Sequence, residues 1–198
     1  MMKLLRSGKE GDYVKKIPTL FNRVYDNHKI VDILPDYPEE FKWVFDGEGE
    51  ATVKFDGSCC AIINSKFYKR YDAKKGKPVP KGAIKCQEEA DLITGHLPCW
   101  IRCDRNNPAD KWFWAAYDYS AGYIDGTYEA IGKHFQGNPY GIDVDRLVKH
   151  GSEVIIVERT FEGIKNYLSE HYIEGIVFWK DGEPKCKIKR SDFGFEWG

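Results

Sequence analysis

Lys54 stands in a short stretch of sequence whose residue types could make a lysine side chain reactive. It ends a β-prone run that begins at Glu50, and the turn-forming pair Asp56-Gly57 separates it from a second apolar run at residues 61–63. A lysine amine is mostly protonated at neutral pH, because its reference pKa is ~10.4. Burial beside other cations lowers that pKa and makes the amine nucleophilic. The motif alone also fits an ordinary hairpin with a solvated lysine.

Four other charged residues lie on or beside predicted strands, where a charge needs a partner. Lys187 and Lys189 are two residues apart, so both side chains project from one face of their strand. Two like charges side by side repel unless an anion lies between them, which favours a phosphate site, although a solvated strand face also fits. Glu174 precedes an apolar strand, so its carboxylate lies at a sheet edge and suits a hard divalent cation, or is a surface residue. Glu129, within the strand predicted at 126–132, is the fourth of these charged residues.

A basic loop with several glycines and prolines follows the strands around Lys54. It covers residues 74–82 and opens with Lys74 and Lys75. Such a loop could bind a phosphate backbone, and a solvated linker is the alternative.

The elements that must position these residues are predicted as short strands joined by turns. Strands are predicted at 51–55, 61–63 and 66–71 (a meander around Lys54), within 21–33, and at 112–117, 126–132 and 153–158, with a closing hairpin of 175–179 and 184–190. Helices are predicted at 39–44 as one turn, at 143–150, and at 160–171 behind a Thr160 cap. Residues 83–111 are predicted to be irregular and 1–20 loosely packed. The pattern predicts a single antiparallel α+β domain over residues 1–198.

The composition excludes several classes of protein. The 198 residues are 42% hydrophobic and 15% aromatic, which excludes global disorder, and the net charge of −1 provides no overall field to attract nucleic acid. No apolar run approaches membrane-spanning length, and the N-terminus does not match a signal peptide, so we expect an intracellular, cytoplasmic protein that acts without a membrane. The six cysteines are expected to be free thiols in a reducing compartment rather than zinc ligands.

Five motifs, taken in order, resemble the covalent nucleotidyltransferase superfamily of ATP-dependent ligases and mRNA-capping enzymes. They are Lys54-Phe55-Asp56-Gly57, Lys69-Arg70, Tyr128-Glu129-Ala130-Ile131-Gly132, Glu174-Gly175-Ile176-Val177-Phe178 and Lys187-Ile188-Lys189. One such motif is weak evidence, whereas five in this order and spacing are specific. The resemblance implies an antiparallel-sheet adenylyltransferase domain of the ligase type.

Further segments resemble a small family of single-domain 5′-3′ RNA ligases first recognised in vertebrates. They are the Ser58-Cys59-Cys60 extension of the lysine motif, Gly95-His96-Leu97-Pro98, the turn at 136–141 and the closing residues 193–197. The resemblance covers a catalytic core at residues 46–198, and the first 45 residues form a family-variable segment. Only nine residues follow Lys189, so we expect no appended oligonucleotide-binding barrel (OB-fold).

The resemblance implies a three-step sealing reaction. The Lys54 amine attacks the α-phosphate of ATP, pyrophosphate leaves, and lysyl-AMP remains. AMP then passes to the 5′-phosphate of RNA, and a 3′-hydroxyl of RNA attacks that activated end and releases AMP. The implied cofactors are ATP and Mg²⁺, with Mn²⁺ as a substitute, and the partner is RNA with no obligate protein partner.

The resemblance also implies a role for each polar position. Glu129 would bind the ribose, Arg70 the ribose or a phosphate, and Glu174 the metal ion. Lys187 and Lys189 would neutralise the α-phosphate, which suits a reaction governed by charge neutralisation and alignment.

The remaining implied contacts are with adenine and with RNA. Thr52 and Val53 would meet adenine through their backbone, while Lys69, Lys74 and Lys75 are candidates for contacting RNA; the adenine-stacking aromatic residue stays unassigned. The alternatives are a GTP-dependent capping-type guanylyltransferase or a DNA ligase of the same superfamily, and a nucleotide- or nucleic-acid-binding module without catalysis.

Overall fold

Two antiparallel sheets form the body of the protein in a computed structural model. The structure describes residues 17–27, 29–91, 94–119 and 122–198, and for Lys29 the backbone alone. The predicted loose start at residues 1–20 therefore lies mostly outside the described residues.

The first sheet carries Lys54 and has the strand order β10-β3-β11-β12. Its strands are β3 (Glu50–Lys54), β10 (Val154–Ile155), β11 (Gly175–Lys180) and β12 (Glu183–Lys189). The predicted closing hairpin is confirmed as β11 and β12, whereas the strand predicted at 153–158 is reduced to two residues. Helix α3 (Phe161–Glu170) packs against this sheet through Ile164 and Leu168.

The second sheet has the strand order β6-β7-β5-β4-β8-β9. Its strands are β4 (Ser58–Ile63), β5 (Lys66–Ala73), β6 (Ile84–Lys85), β7 (Leu97–Arg102), β8 (Gly126–Ile131) and β9 (Arg146–Lys149). Residues 83–111 therefore contain two strands, β6 and β7, so the prediction that this segment is irregular is wrong in part. Helix α2 (Lys111–Asp118) covers one face of this sheet through Ala116, Phe113 and Tyr117.

The remaining elements lie close to the N-terminal end of the described chain. A small hairpin of β1 (Arg23–Asp26) and β2 (Lys29–Ile33) confirms the strands predicted within 21–33. A 3₁₀ turn (Glu39–Phe41) runs into the short helix α1 (Lys42–Phe45), as predicted. No helix among the described residues is long and apolar enough to cross a membrane.

The meander predicted around Lys54 is wrong in one respect. Strand β3 pairs with β10 and β11, whereas β4 pairs with β5 and β8, so the chain changes sheet at the Asp56-Gly57 turn. Close packing holds that turn, because a Cβ on Gly57 would lie 2.2 Å from the carbonyl oxygen of Ala130. Lys54 therefore ends one sheet at the point where the other begins.

Two predicted element types are also wrong. The apolar run 112–117 is not a strand but the core of helix α2, since Asn107 accepts a hydrogen bond from the backbone N–H of Ala109 and starts a 3₁₀ turn that leads into the helix. A short apolar run fits either a buried strand or a helix, and the N-terminal cap at Asn107 favours the helix here. Residues 143–150 are not a helix, because residues 146–149 pair with β8 and bury Leu147 and Val148.

The mixed architecture, with antiparallel strands and few helices, agrees with the predicted α+β class. The adenylyltransferase type within that class remains a prediction.

Candidate active site

A cavity of about 280 Å³ lies between the two sheets and collects most of the residues selected from the sequence. From the first sheet it receives Thr52, Val53, Lys54, Val177, Trp179 and Lys187, and from the second Cys59, Arg70, Thr127, Glu129 and His150. Selected residues of four motifs thus meet in one space, and the motif that begins at Glu174 lines it through Val177.

Strand register places the lysines on one face of the first sheet. Lys54 on β3 and Lys189 on β12 flank Gly175, and one step along the same face Thr52 and Lys187 flank Val177. Side chains two residues apart share a face, so the predicted common face of Lys187 and Lys189 is confirmed. A glycine is required at position 175, because a Cβ there would lie 2.2 Å from the carbonyl oxygen of Ile188.

Glu174 holds two of these lysines by ion pairs. The Lys54 Nζ lies 2.5 Å from its Oε2 and the Lys189 Nζ lies 2.6 Å from its Oε1. The Glu174 side chain is only 5% exposed, so this carboxylate is strongly shielded from water. A metal ion at Glu174 would have to displace an ammonium group from one of these oxygens.

Lys187 is the cation of this face that makes no ion pair with any acidic residue in the described part of the chain. Burial, and after it the charges of Lys54 and Lys189, lower the pKa of its ammonium from 10.5 to about 8, while Glu174 opposes the change. A partly buried cation surrounded by like charges is poised to bind an anion, because the anion removes both the repulsion and the loss of hydration.

The opposite wall presents a hydrogen-bonded carboxylate. Glu129 Oε2 lies 2.8 Å from His150 Nε2, and His150 Nδ1 lies 2.9 Å from Thr127 Oγ1. His150 follows β9, whose pairing with β8 brings it beside Glu129. His150 was not selected from the sequence, since only the pairing of these strands shows that it faces the site.

Arg70 and Lys69 lie on opposite faces of β5 because consecutive strand residues alternate. Arg70 lines the cavity, where its Nε donates to Asp72 Oδ1 at 2.9 Å. Lys69 points the other way and forms an ion pair with the buried carboxylate of Asp110. The structure therefore separates these two residues of one motif, and Lys69 does not line the cavity.

Trp179 is a large aromatic residue that lines the cavity beside Thr52, and the sequence did not single it out. Its indole Nε1 donates to Thr52 Oγ1 at 2.9 Å, and that hydroxyl lies 3.4 Å from the carbonyl oxygen of Val177. Val53 lines the cavity, but its backbone N–H already donates to the carbonyl oxygen of Glu153 at 2.9 Å.

Three side chains hold the turn that follows Lys54. The backbone N–H of Asp56 donates to Tyr140 Oη at 2.6 Å, and the Trp197 indole donates to Asp56 Oδ2 at 2.8 Å. Gln136 Nε2 donates to the carbonyl oxygen of Gly57 at 3.1 Å. The turn segment at 136–141 and the closing residues, selected from the sequence without a role, therefore fix the position of the lysine motif.

Lys74 and Lys75 lie outside the cavity, in the exposed loop between β5 and β6. Loop structure at 74–82 agrees with the prediction, while contact with RNA remains a prediction. All six cysteines are free thiols, as expected, and five of them are buried.

One known protein supplies a distant likeness. The chain is similar to "RNA ligase 1" of Danio rerio, with 27% identity over a match that covers 52% of this chain and 42% of the relative. The match thus spans less than half the length of that protein. No protein-family model matches the chain. The comparison supports an RNA ligase relationship at most.

Proposed function

We propose that this protein is an ATP-dependent RNA ligase that forms a covalent lysyl-AMP at Lys54. The observation that carries the proposal is the convergence on one cavity of a lysine at a sheet edge, further cations and an opposing carboxylate. The similarity to an RNA ligase supports the choice of RNA as substrate.

The cation face suits an α-phosphate that is attacked by Lys54. The amine of Lys54 forms the new N–P bond and loses a proton, and the bond to pyrophosphate breaks. Lys187, with Lys189 beside it on the same face, would balance the negative charge that grows on the phosphate oxygens. The carboxylate of Glu174 must release the Lys54 ammonium before the amine can act.

Glu174 is also the residue that would hold Mg²⁺ or Mn²⁺. A carboxylate oxygen is the ligand that these ions prefer, and nucleotide phosphates commonly supply further ligands. The bound ion would supply additional charge neutralisation at the phosphates. An ion held by Glu174 would favour release of Lys54, because the ammonium and the metal would compete for the same carboxylate.

The nucleoside would lie between Trp179 and the second sheet. Glu129 and Arg70 face that space from β8 and β5, and they suit ribose hydroxyls and a phosphate respectively. Thr52 and Val53 line the same cavity and would border the adenine.

The decisive measurement is the intact mass of the protein after incubation with ATP and Mg²⁺. We expect one added AMP in the parent and none in Lys54→Arg, because a guanidinium stays protonated and cannot attack. An AMP adduct on Lys54→Arg would move the nucleophile elsewhere. An adduct formed from GTP but not ATP would indicate a guanylyltransferase, and no adduct with any nucleotide would favour a binding module.

A pre-adenylylated RNA separates the role of Lys54 from that of Glu174. Such RNA already carries its leaving group, so Lys54→Ala should recover part of the sealing activity without ATP. Glu174→Ala should remain impaired, because its metal ion is also needed when the 3′-hydroxyl attacks. Equal sealing by Glu174→Ala and the parent would refute the metal assignment, and an adenylylated DNA in place of RNA tests the DNA ligase alternative.

A further inference from the structure

Three side chains of different chemistry converge on the second-sheet wall of the cavity. The Cys59 Sγ, a carboxylate oxygen of Glu129 and a ring nitrogen of His150 all lie within 4.8 Å of one another. Cys59 and Glu129 are direct register partners on β4 and β8. The backbone N–H of His150, just after β9, donates to the carbonyl oxygen of Thr127 on β8 at 3.0 Å, so backbone pairing holds all three residues in place.

We propose that Cys59, Glu129 and His150 bind a divalent transition-metal ion of the zinc type, with the fourth coordination position open to the cavity. Thiolate, imidazole and carboxylate are the donors that Zn²⁺ and Co²⁺ accept in tetrahedral sites. The thiolate distinguishes this site from the proposed Mg²⁺ position at Glu174, since Mg²⁺ prefers oxygen ligands.

Thr127 allows the His150 ring to serve this site. With no metal bound, a neutral ring donates from Nε2 to Glu129 and accepts at Nδ1 from the Thr127 hydroxyl, in agreement with the two short contacts. A hydroxyl both donates and accepts, so it can equally accept from a protonated Nδ1 and leave the Nε2 lone pair for a metal. A partner of this kind on the distal nitrogen is typical of metal-binding histidines.

The charges around the site balance a divalent ion. Burial raises the pKa of the Cys59 thiol, and the Glu129 carboxylate raises it further, so the thiol is protonated before binding. Binding releases that proton to solvent, and the thiolate with the Glu129 carboxylate then neutralises the two positive charges. Of the nearby cations, Arg70 is paired with Asp72, and Lys54 shares Glu174 with Lys189.

The site has a regulatory consequence that rests on the proposed function. A metal ion held by Glu129 would occupy the space in which the ribose hydroxyls of a nucleotide are proposed to lie. A zinc-type ion would therefore compete with nucleotide, and the two ligands would exclude each other from one cavity.

Cobalt is the direct probe of the site, because Co²⁺ bound to a thiolate gives a charge-transfer absorption that Zn²⁺ then abolishes by displacement. The titration uses full-length protein without an affinity tag, in a reductant that does not bind metals. We expect the absorption in the parent and in Cys60→Ala, and its loss in Cys59→Ala. Cys60 is the matched control because it is the next residue of β4 and faces the α2 side of the sheet.

Thr127→Val tests the ring orientation without removing a ligand. Valine has the shape of threonine and suits a strand, so the fold should be retained. We expect Co²⁺ to bind about 10- to 100-fold more weakly, as is typical when the partner of a metal-binding histidine is lost. Near-ultraviolet circular dichroism of each variant verifies that the fold is intact.

The site is overturned if the folded parent shows no thiolate absorption, or if Cys59→Ala shows the same absorption as the parent. Competition is then tested with adenosine, because triphosphates chelate Co²⁺ in solution. Adenosine that binds and displaces Co²⁺ supports competition, and adenosine that binds beside Co²⁺ overturns it. If Co²⁺ binds through Cys59 while no nucleotide binds the metal-free protein, the metal site stands and the proposed ligase function fails.

Discussion

Lys187→Met should make the protein more stable at pH 7. Burial, and then repulsion by Lys54 and Lys189, lowers the pKa of Lys187 from 10.5 to about 8, which means that the fold disfavours its charge. Methionine keeps an unbranched apolar stem of similar length and removes the ammonium. The variant therefore relieves the buried charge while the packing along β12 is largely retained.

The size of the gain follows from the pKa change. A shift from 10.5 to about 8 corresponds to an upper limit of about 3 kcal/mol. Water at the cavity mouth and relaxation of the side chain reduce this penalty, so we expect a gain of about 1–3 kcal/mol in the free energy of unfolding.

The gain should depend on pH with a definite sign. Below about pH 8 the lysine is charged in both the folded and the unfolded parent, so the full penalty acts. Above that pH the folded parent loses the proton, while the unfolded chain keeps it until ~10.4, so the parent becomes more stable as the pH rises. The advantage of Lys187→Met should therefore shrink between about pH 8 and pH 10.

Urea denaturation at pH 7 and at pH 10 measures both effects. Lys189→Met is the matched control, because its ammonium lies 2.6 Å from Glu174 and its loss leaves a buried carboxylate with one partner fewer. We expect this control to be less stable than the parent by about 1–3 kcal/mol. Equal stability of the parent and Lys187→Met at pH 7, or a gain that does not change with pH, would refute the assignment of Lys187 as a disfavoured charge.

In the mass assay both variants should form lysyl-AMP on the order of ten- to a thousandfold more slowly.

Three further predictions concern the supports of the site and the fold. Trp197→Phe removes the hydrogen bond to Asp56 Oδ2 and should slow lysyl-AMP formation about tenfold with unchanged thermal stability, so a parental rate would contradict its positioning role. Gly57→Ala should lower both the melting temperature and the rate, because its Cβ would lie 2.2 Å from a β8 carbonyl oxygen; a parental melting curve would show that the turn can move aside. Thr160→Ala removes the 3.0 Å hydrogen bond from the Gly163 N–H to the cap and should cost about 1 kcal/mol in urea denaturation, whereas no loss would mean that the α3 cap adds nothing.

The local sequence was sufficient for elements that are held by nearby residues. The β11–β12 hairpin follows from two β-prone runs around the turn pair Asp181-Gly182, and α3 follows from Thr160 and the helical spacing of its apolar face. The common face of Lys187 and Lys189 also follows from the strand period alone.

The two-residue period of a strand also shows that Lys69 and Arg70 have different surroundings, although the motif groups them together. Lys69 and Arg70 are neighbours on one strand, so only one of them can face the cavity, and the structure selects Arg70. Helix α2 was missed for a different reason, because a short apolar run such as 112–117 suits a buried strand equally well until its N-terminal cap is known.

Only the tertiary structure decided how the strands combine into a site. Sequence placed Lys54, Glu129 and Glu174 on separate strands, but it could not show that β3 and β4 belong to different sheets with a cavity between them. It also could not show that His150 lies against Glu129, or that Glu174 is shared by Lys54 and Lys189. Residue type and the two-residue period of a strand determine which face of a sheet a side chain occupies. Long-range strand pairing determines which faces lie against each other, and the site forms only where the two faces with these charged residues do so.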